Sequence, residues 1–219
     1  MATTRLLLVR HGETTLSAED RFAGSTNVAL SDRGREQAAH LGERLAVEKV
    51  VAIYSSPLDR TMETARLVGK PHDLHPVPEP GLKEIDHGRW EQMTRREVET
   101  NFGDEYATWE TDPYTFAPAG GESGLAVAAR ALPAIRGIIV RHQGETVVLV
   151  SHKATIRLVL ASMLGIDARG YRDRLDLAPA SLSVLDCKDT VRARLMLYND
   201  TAHYANWPRR ATGSLSKWW

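Results

Sequence analysis

Three short stretches of this 219-residue chain carry reactive side chains at the end of an apolar run. "LLLVRHG" (6–12) passes from four apolar residues directly into Arg10, His11 and Gly12. "IYSSPLDR" (53–60) ends in Ser55, Ser56 and Pro57 and reaches Arg60 about one turn into the segment that follows. "VVLVSH" (147–152) ends in Ser151 and His152. Arginine and histidine are costly to bury without partners, so a strand that delivers them near the core must deliver them into a cleft or into water. Two imidazoles and two guanidinium forks beside a helix N-terminus make an anion site, most naturally for a phosphoryl group.

The elements that would position these groups are legible from pattern. Residues 5–9, 50–54 and 146–150 read as buried strands, 73–77 as a weaker one cut by Pro76, and 181–186 with 192–197 as a pair joined near Lys188 and Asp189. Residues 32–46 have a helical rhythm with Leu41 and Leu45 on one face and Ser31 as N-cap, and 58–68 follow Pro57 as a helix. A long helix is expected over 122–142, kinked at Pro133, and an apolar one over 153–164, ended by Gly165. Strands alternating with helices predict an α/β fold: a three-layer α/β/α sandwich around a mainly parallel sheet. In such folds ligands bind beyond the carboxyl ends of the strands, where all three stretches terminate. The chain is expected to form one domain over 1–219, with 71–121 as an excursion or lid over the site.

Composition narrows the function classes. Lys plus Arg and Asp plus Glu both number 28, a formal charge of zero that argues against a nucleic-acid binder and leaves room for a small anion held by local arginines. Cys187 is the one cysteine, so an intramolecular disulfide is excluded and a reducing compartment is favoured. The N-terminal apolar run is only four residues long, and nothing approaches the roughly 20 apolar residues that span a bilayer. The expectation is a soluble, cytoplasmic protein with no membrane partner.

The ordered motifs "LLLVRHGET" (6–14), "LSDRGREQA" (30–38), "IYSSPLDRTMETA" (53–65), "LKEIDHGRWE" (82–91), "GGES" (120–123) and "VVLVSH" (147–152) resemble the histidine phosphatase superfamily, which includes the cofactor-dependent phosphoglycerate mutases. The resemblance implies the phosphoglycerate mutase-like fold and makes His11 the nucleophile that becomes phosphorylated. It implies that Arg10, Arg60 and His152 hold the phosphoryl oxygens, and that Glu84 donates a proton to the leaving oxygen and then activates water. Neighbouring guanidinium groups help keep an imidazole neutral and nucleophilic, and fixed cations stabilise the charge of a transferring phosphoryl group. No metal and no cofactor is implied.

Several positions depart from the family pattern. Leu16-Ser17 stands where many members have Trp-Asn, so Ser17 would contact the phosphate with a shorter reach. Gly24 matches a substrate-loop position, but Ala23 before it lacks a hydroxyl, and Lys153 follows His152 where glycine is common. Lys153 would bind a substrate carboxylate or second phosphate, or else point into solvent. The stretch 86–121 is short, and "DHGRWE" resembles the loop of the phosphatase branch. Within it "EIDHG" and "YNDTAHY" (198–204) resemble metal-independent phosphoserine phosphatases and broad-specificity relatives. By that similarity His87 would face the organic part of the substrate. His203 would reach it from the C-terminal segment, or else close the terminal strand through a structural hydrogen bond. The expected activity is a metal-independent phosphatase of a small phosphorylated metabolite, with a phosphoglycerate mutase and a catalytically silent binding module as alternatives. Phosphoserine, phosphoglycerates, sugar phosphates and ribazole-type nucleotide phosphates all remain open as substrates, as do a homodimeric state and the role of the terminal Trp218 and Trp219.

Overall fold

The computed structural model describes residues 2–18 and 21–204. Strand β1 (Thr4–Arg10) leads through a short helix α1 (Thr15–Ala18) to α2 (Asp32–Leu45), then β2 (Val50–Ser55) and α3 (Asp59–Gly69). The two-residue β3 (Val77–Pro78) precedes α4 (Arg95–Asn101) and α5 (Gly103–Thr111), and α6 (Gly124–Arg141) returns the chain to β4 (Thr146–Ser151). Helices α7 (Lys153–Leu164) and α8 (Tyr171–Arg174) precede β5 (Leu182–Cys187) and β6 (Ala193–Asp200). The sheet order is β3-β2-β4-β1-β5-β6, with β3, β2, β4 and β1 parallel and β5 and β6 antiparallel additions at one side.

Side-chain alternation along β1 divides the core into two layers. Leu6 and Leu8 pack with Val147 and Leu149 beneath Ile135 and Ile138 of α6 and Ile156 and Val159 of α7. Leu7 and Val9 pack with Val148 and Val150 beneath Leu41 of α2 and Ala65 and Val68 of α3. This is the predicted three-layer arrangement. Because β1 feeds a helix on one face and its neighbour β4 feeds a helix on the other, a crevice opens between their carboxyl ends.

Two strands differ from expectation. The third strand is confined to Val77–Pro78 against Tyr54 and Ser55, because 70–72 form a 3₁₀ turn and Asp73 takes a left-handed conformation, φ 53°. Helix α6 is found where a long helix was expected and runs on through Pro133, with Ala128 and Ala131 before it and Ile135 and Ile138 after it buried in the core. Strand β6 extends to Asp200 rather than ending near 197. Of 71–121, Val77–Pro78 belongs to the sheet and Leu82 to the main core, whereas Trp90, Val98 and Trp109 form a separate aromatic cluster with Phe22. Trp218 and Trp219 lie outside the described residues.

Candidate active site

The end of β1 is turned sharply by Gly12. A Cβ there would sit 2.3 Å from the Gly34 carbonyl oxygen at the start of α2, an approach only glycine allows. His11 therefore stays buried at the crevice floor, its backbone N–H donating to Ser151 O at 3.0 Å and its carbonyl accepting from Ala180 N at 3.0 Å. Its Nδ1 lies 2.7 Å from the Gly12 carbonyl oxygen. A carbonyl can only accept, so Nδ1 carries the hydrogen and Nε2 keeps its lone pair. Burial, and then the Arg60 and Arg10 guanidiniums, hold the His11 imidazole well below its usual pKa, hence neutral at pH 7.

His152 lies beside it at the end of β4, fully buried, with ring centroids 5.2 Å apart. Its Nε2 is 2.8 Å from Ser56 Oγ, while its Nδ1 is buried with no protein partner. Burial, followed by Arg60 and His11, likewise holds this ring neutral. Arg10 donates from Nη1 to Leu177 O at 2.5 Å, and burial lowers its pKa to about 10, still charged at neutral pH. Arg60 comes from the first turn of α3, is 1 % exposed, and donates from Nη1 to Thr26 O at 2.8 Å and from Nη2 to Gly24 O at 2.7 Å. The Nε atoms of both arginines are buried without protein acceptors. Buried donors of this kind need partners, and an anion would supply them.

Glu84 approaches from the opposite wall. Its Oε1 accepts from Ile85 N at 2.9 Å and from Thr155 N and Oγ1 at 3.2 Å, and its Oε2 accepts from Ala154 N at 3.2 Å. The side chain thus caps the first turn of α7.

Arg10, His11, Arg60, Glu84, Gly24, His87 and Lys153 all line one cavity of about 250 Å³. His87 packs edge-on to Phe22, centroids 4.7 Å apart, and burial lowers its pKa. Lys153 does not simply point into solvent: its Nζ lies 3.0 Å from Asp176 Oδ1 with the side chain 25 % exposed. Ser17 sits in α1, and its side chain is outside the described atoms. His203 does not line the cavity. It packs against Tyr204, centroids 4.9 Å apart, with Nδ1 3.4 Å from Arg44 Nη1, because the turn after β6 carries it to the α2 side of the sheet.

Sequence reasoning missed the residue that orders the Arg60 partners. Glu91 accepts from Ser25 N at 2.5 Å and Ser25 Oγ at 3.0 Å on Oε1, and from Thr26 Oγ1 on Oε2. It thereby fixes the 24–26 loop whose carbonyls hold Arg60. Gly24 makes this fit, since its φ is +44° and a Cβ would lie 2.1 Å from Glu91 Oε1. The sequence signal is the glutamate that closes "HGRWE", next to the buried Trp90.

The chain matches the family model of the histidine phosphatase superfamily (branch 1) over residues 6–201. It belongs to that superfamily. It is 36% identical over 163 residues to phosphoserine phosphatase 1 of Hydrogenobacter thermophilus, covering 74% of this chain and 77% of that one. A glucosyl-3-phosphoglycerate phosphatase of Mycolicibacterium vanbaalenii is 34% identical over 173 residues, 76% of each chain. Among solved structures, Bacillus stearothermophilus YhfR superposes with a TM-score of 0.85 at 30% identity, covering 91% of this chain and 98% of that one. The histidine phosphatase superfamily member described here is accordingly a phosphatase, and no helix among its described residues is long and apolar enough to cross a membrane.

Proposed function

We propose that this phosphatase hydrolyses a small phosphomonoester without a metal, through a phosphohistidine formed on His11 Nε2. The observation that carries this is the hydrogen bond from His11 Nδ1 to the Gly12 carbonyl, which leaves Nε2 as the unprotonated nitrogen of a neutral ring on the cavity floor. In the first step Nε2 forms the bond to phosphorus as the ester P–O bond breaks. Arg10 and Arg60, through donors lacking protein acceptors, and His152, through Nδ1, take the phosphoryl oxygens. Glu84 gives the leaving oxygen its proton from Oε2, the oxygen with only one hydrogen bond from the protein, at 3.2 Å. In the second step the same carboxylate takes a proton from water, whose oxygen attacks phosphorus and frees His11. Gly24 and His87 then border the organic part of the substrate. Relatives named for phosphoserine and for glucosyl-3-phosphoglycerate support a small metabolite as substrate.

The test is phosphate release from a panel of phosphomonoesters in EDTA, with His11→Ala beside the unaltered chain. The panel includes phosphoserine and both monophosphoglycerates, and the latter are also followed for interconversion. Release that survives EDTA and is lost in the variant is the expected result. Release abolished by EDTA would remove metal independence, and interconversion without net release would make the chain a mutase.

A further inference from the structure

The cavity holds more positive charge than a phosphoryl group requires. Beyond Arg10 and Arg60 it is lined by Lys153 and Arg157 near the start of α7 and by arginines such as Arg172. Most of these are tied into the fold: Arg157 donates to the carbonyls of Leu175 and Arg172, and Arg172 pairs with Glu110 at 2.8 Å over the Trp109 ring. Lys153 is placed differently. It is the first residue of α7, where a cation opposes the helix dipole, and it is faced by the like charges of Arg10 and Arg157. Burial, followed by those two guanidiniums, lowers its ammonium to about 8, so it is mostly charged at neutral pH. The counter-ion seen beside it, Asp176 at 3.0 Å, has a side chain 73 % exposed. A lysine that lines the cavity beside two cations and a helix N-terminus, with its Asp176 partner mostly in water, suits an anion that enters with the substrate.

We propose that Lys153 is a specificity-determining subsite for a carboxylate that the substrate carries a few bonds from its phosphate ester, with Asp176 as the counter-ion it exchanges. This deepens the function proposed above and rests on placing the phosphoryl group at His11. The carboxylate end of the substrate lies along the α7 wall, beside the Arg10 that holds the phosphoryl group. Substrates are therefore phosphorylated hydroxy or amino acids rather than plain polyol or sugar phosphates.

The test compares two probes that differ in the carboxylate: 3-phosphoglycerate and glycerol 3-phosphate. Their dissociation constants are measured by calorimetry at pH 7 in the His11→Ala background, so that neither is consumed. A preference for 3-phosphoglycerate of about tenfold is expected, falling to about twofold in Lys153→Met and retained in Lys153→Arg. Asp176→Asn should enlarge the preference, because it removes the competing carboxylate. An ion pair with only a structural role would move both probes together and leave their ratio unchanged. No preference in the parent, or a preference that survives Lys153→Met, overturns the proposal. Hydrolysis of p-nitrophenyl phosphate by the chain with His11 intact is run in parallel. Its absence would sink the phosphatase mechanism, whereas the binding ratio reports on Lys153 alone.

Discussion

Replacing Glu91 by alanine should disable Arg60 without touching it. The Glu91 carboxylate accepts three hydrogen bonds from Ser25 and Thr26, and the carbonyls of Gly24 and Thr26 are what hold the Arg60 guanidinium. Hydrogen bonds to a charged group contribute about 1.5–3 kcal/mol each, and water replaces part of that in a half-exposed loop, so the loop loses roughly 2–4 kcal/mol of its ordering. Removing a fixed donor from a developing oxyanion costs about 10²–10³ in rate, and a displaced rather than deleted arginine loses part of it. The expected fall in kcat/KM for p-nitrophenyl phosphate is therefore about 10- to 100-fold, with weaker inhibition by inorganic phosphate. Glu91→Gln keeps one acceptor oxygen and should recover much of the loss. A folded Glu91→Ala protein within twofold of the parent in kcat/KM would refute the chain of contacts from Glu91 to Arg60.

Other outcomes follow from the same geometry. Gly24→Ala should resemble Glu91→Ala in rate and also lower Tm, because its Cβ would meet Glu91 Oε1 at 2.1 Å and φ of +44° strains any L side chain. Stability should fall with acidification below pH 6.5: His11 and His152 are held neutral in the fold while the unfolded chain binds their protons, so each contributes a loss of about 1.4 kcal/mol per pH unit. Urea midpoints from pH 7.5 to 5.5 check this, and His152→Asn should flatten the slope by one such contribution. Glu84→Gln should slow hydrolysis of alkyl phosphates far more than of p-nitrophenyl phosphate, whose leaving group needs little protonation; equal slowing would remove Glu84 as the acid. His203→Asn should leave turnover within twofold, since the ring lies against Arg44 and Tyr204 outside the cavity.

The layers and the phosphoryl half of the site were legible because they follow from local pattern. Buried strands read as apolar runs, and His11 and His152 stand at their ends wherever the strands fall in the sheet. What the pattern could not carry is contact between distant loops. Glu91 meets Ser25 across 66 positions, and no periodicity links them. The neighbour of Lys153 is likewise remote in sequence, since Asp176 reaches its Nζ at 3.0 Å from a segment beyond α7. The surroundings of His203 were not legible for the same reason, as they depend on how the turn after β6 packs on Arg44. The weak strand over 73–77 shrank because Pro76 and the left-handed Asp73 prevent an extended run.

The central claim is the covalent step at His11. The most direct measurement is a millisecond quench of the enzyme with a good phosphomonoester substrate, followed by peptide mass spectrometry under alkaline conditions that preserve phosphohistidine. The predicted result is a phosphorylated His11 that forms within one turnover, decays as water attacks, and accumulates when Glu84 is changed to Gln and a leaving group that needs no acid is used. Steady turnover with no phosphoryl group ever found on His11, or with one found on another residue, would contradict the account.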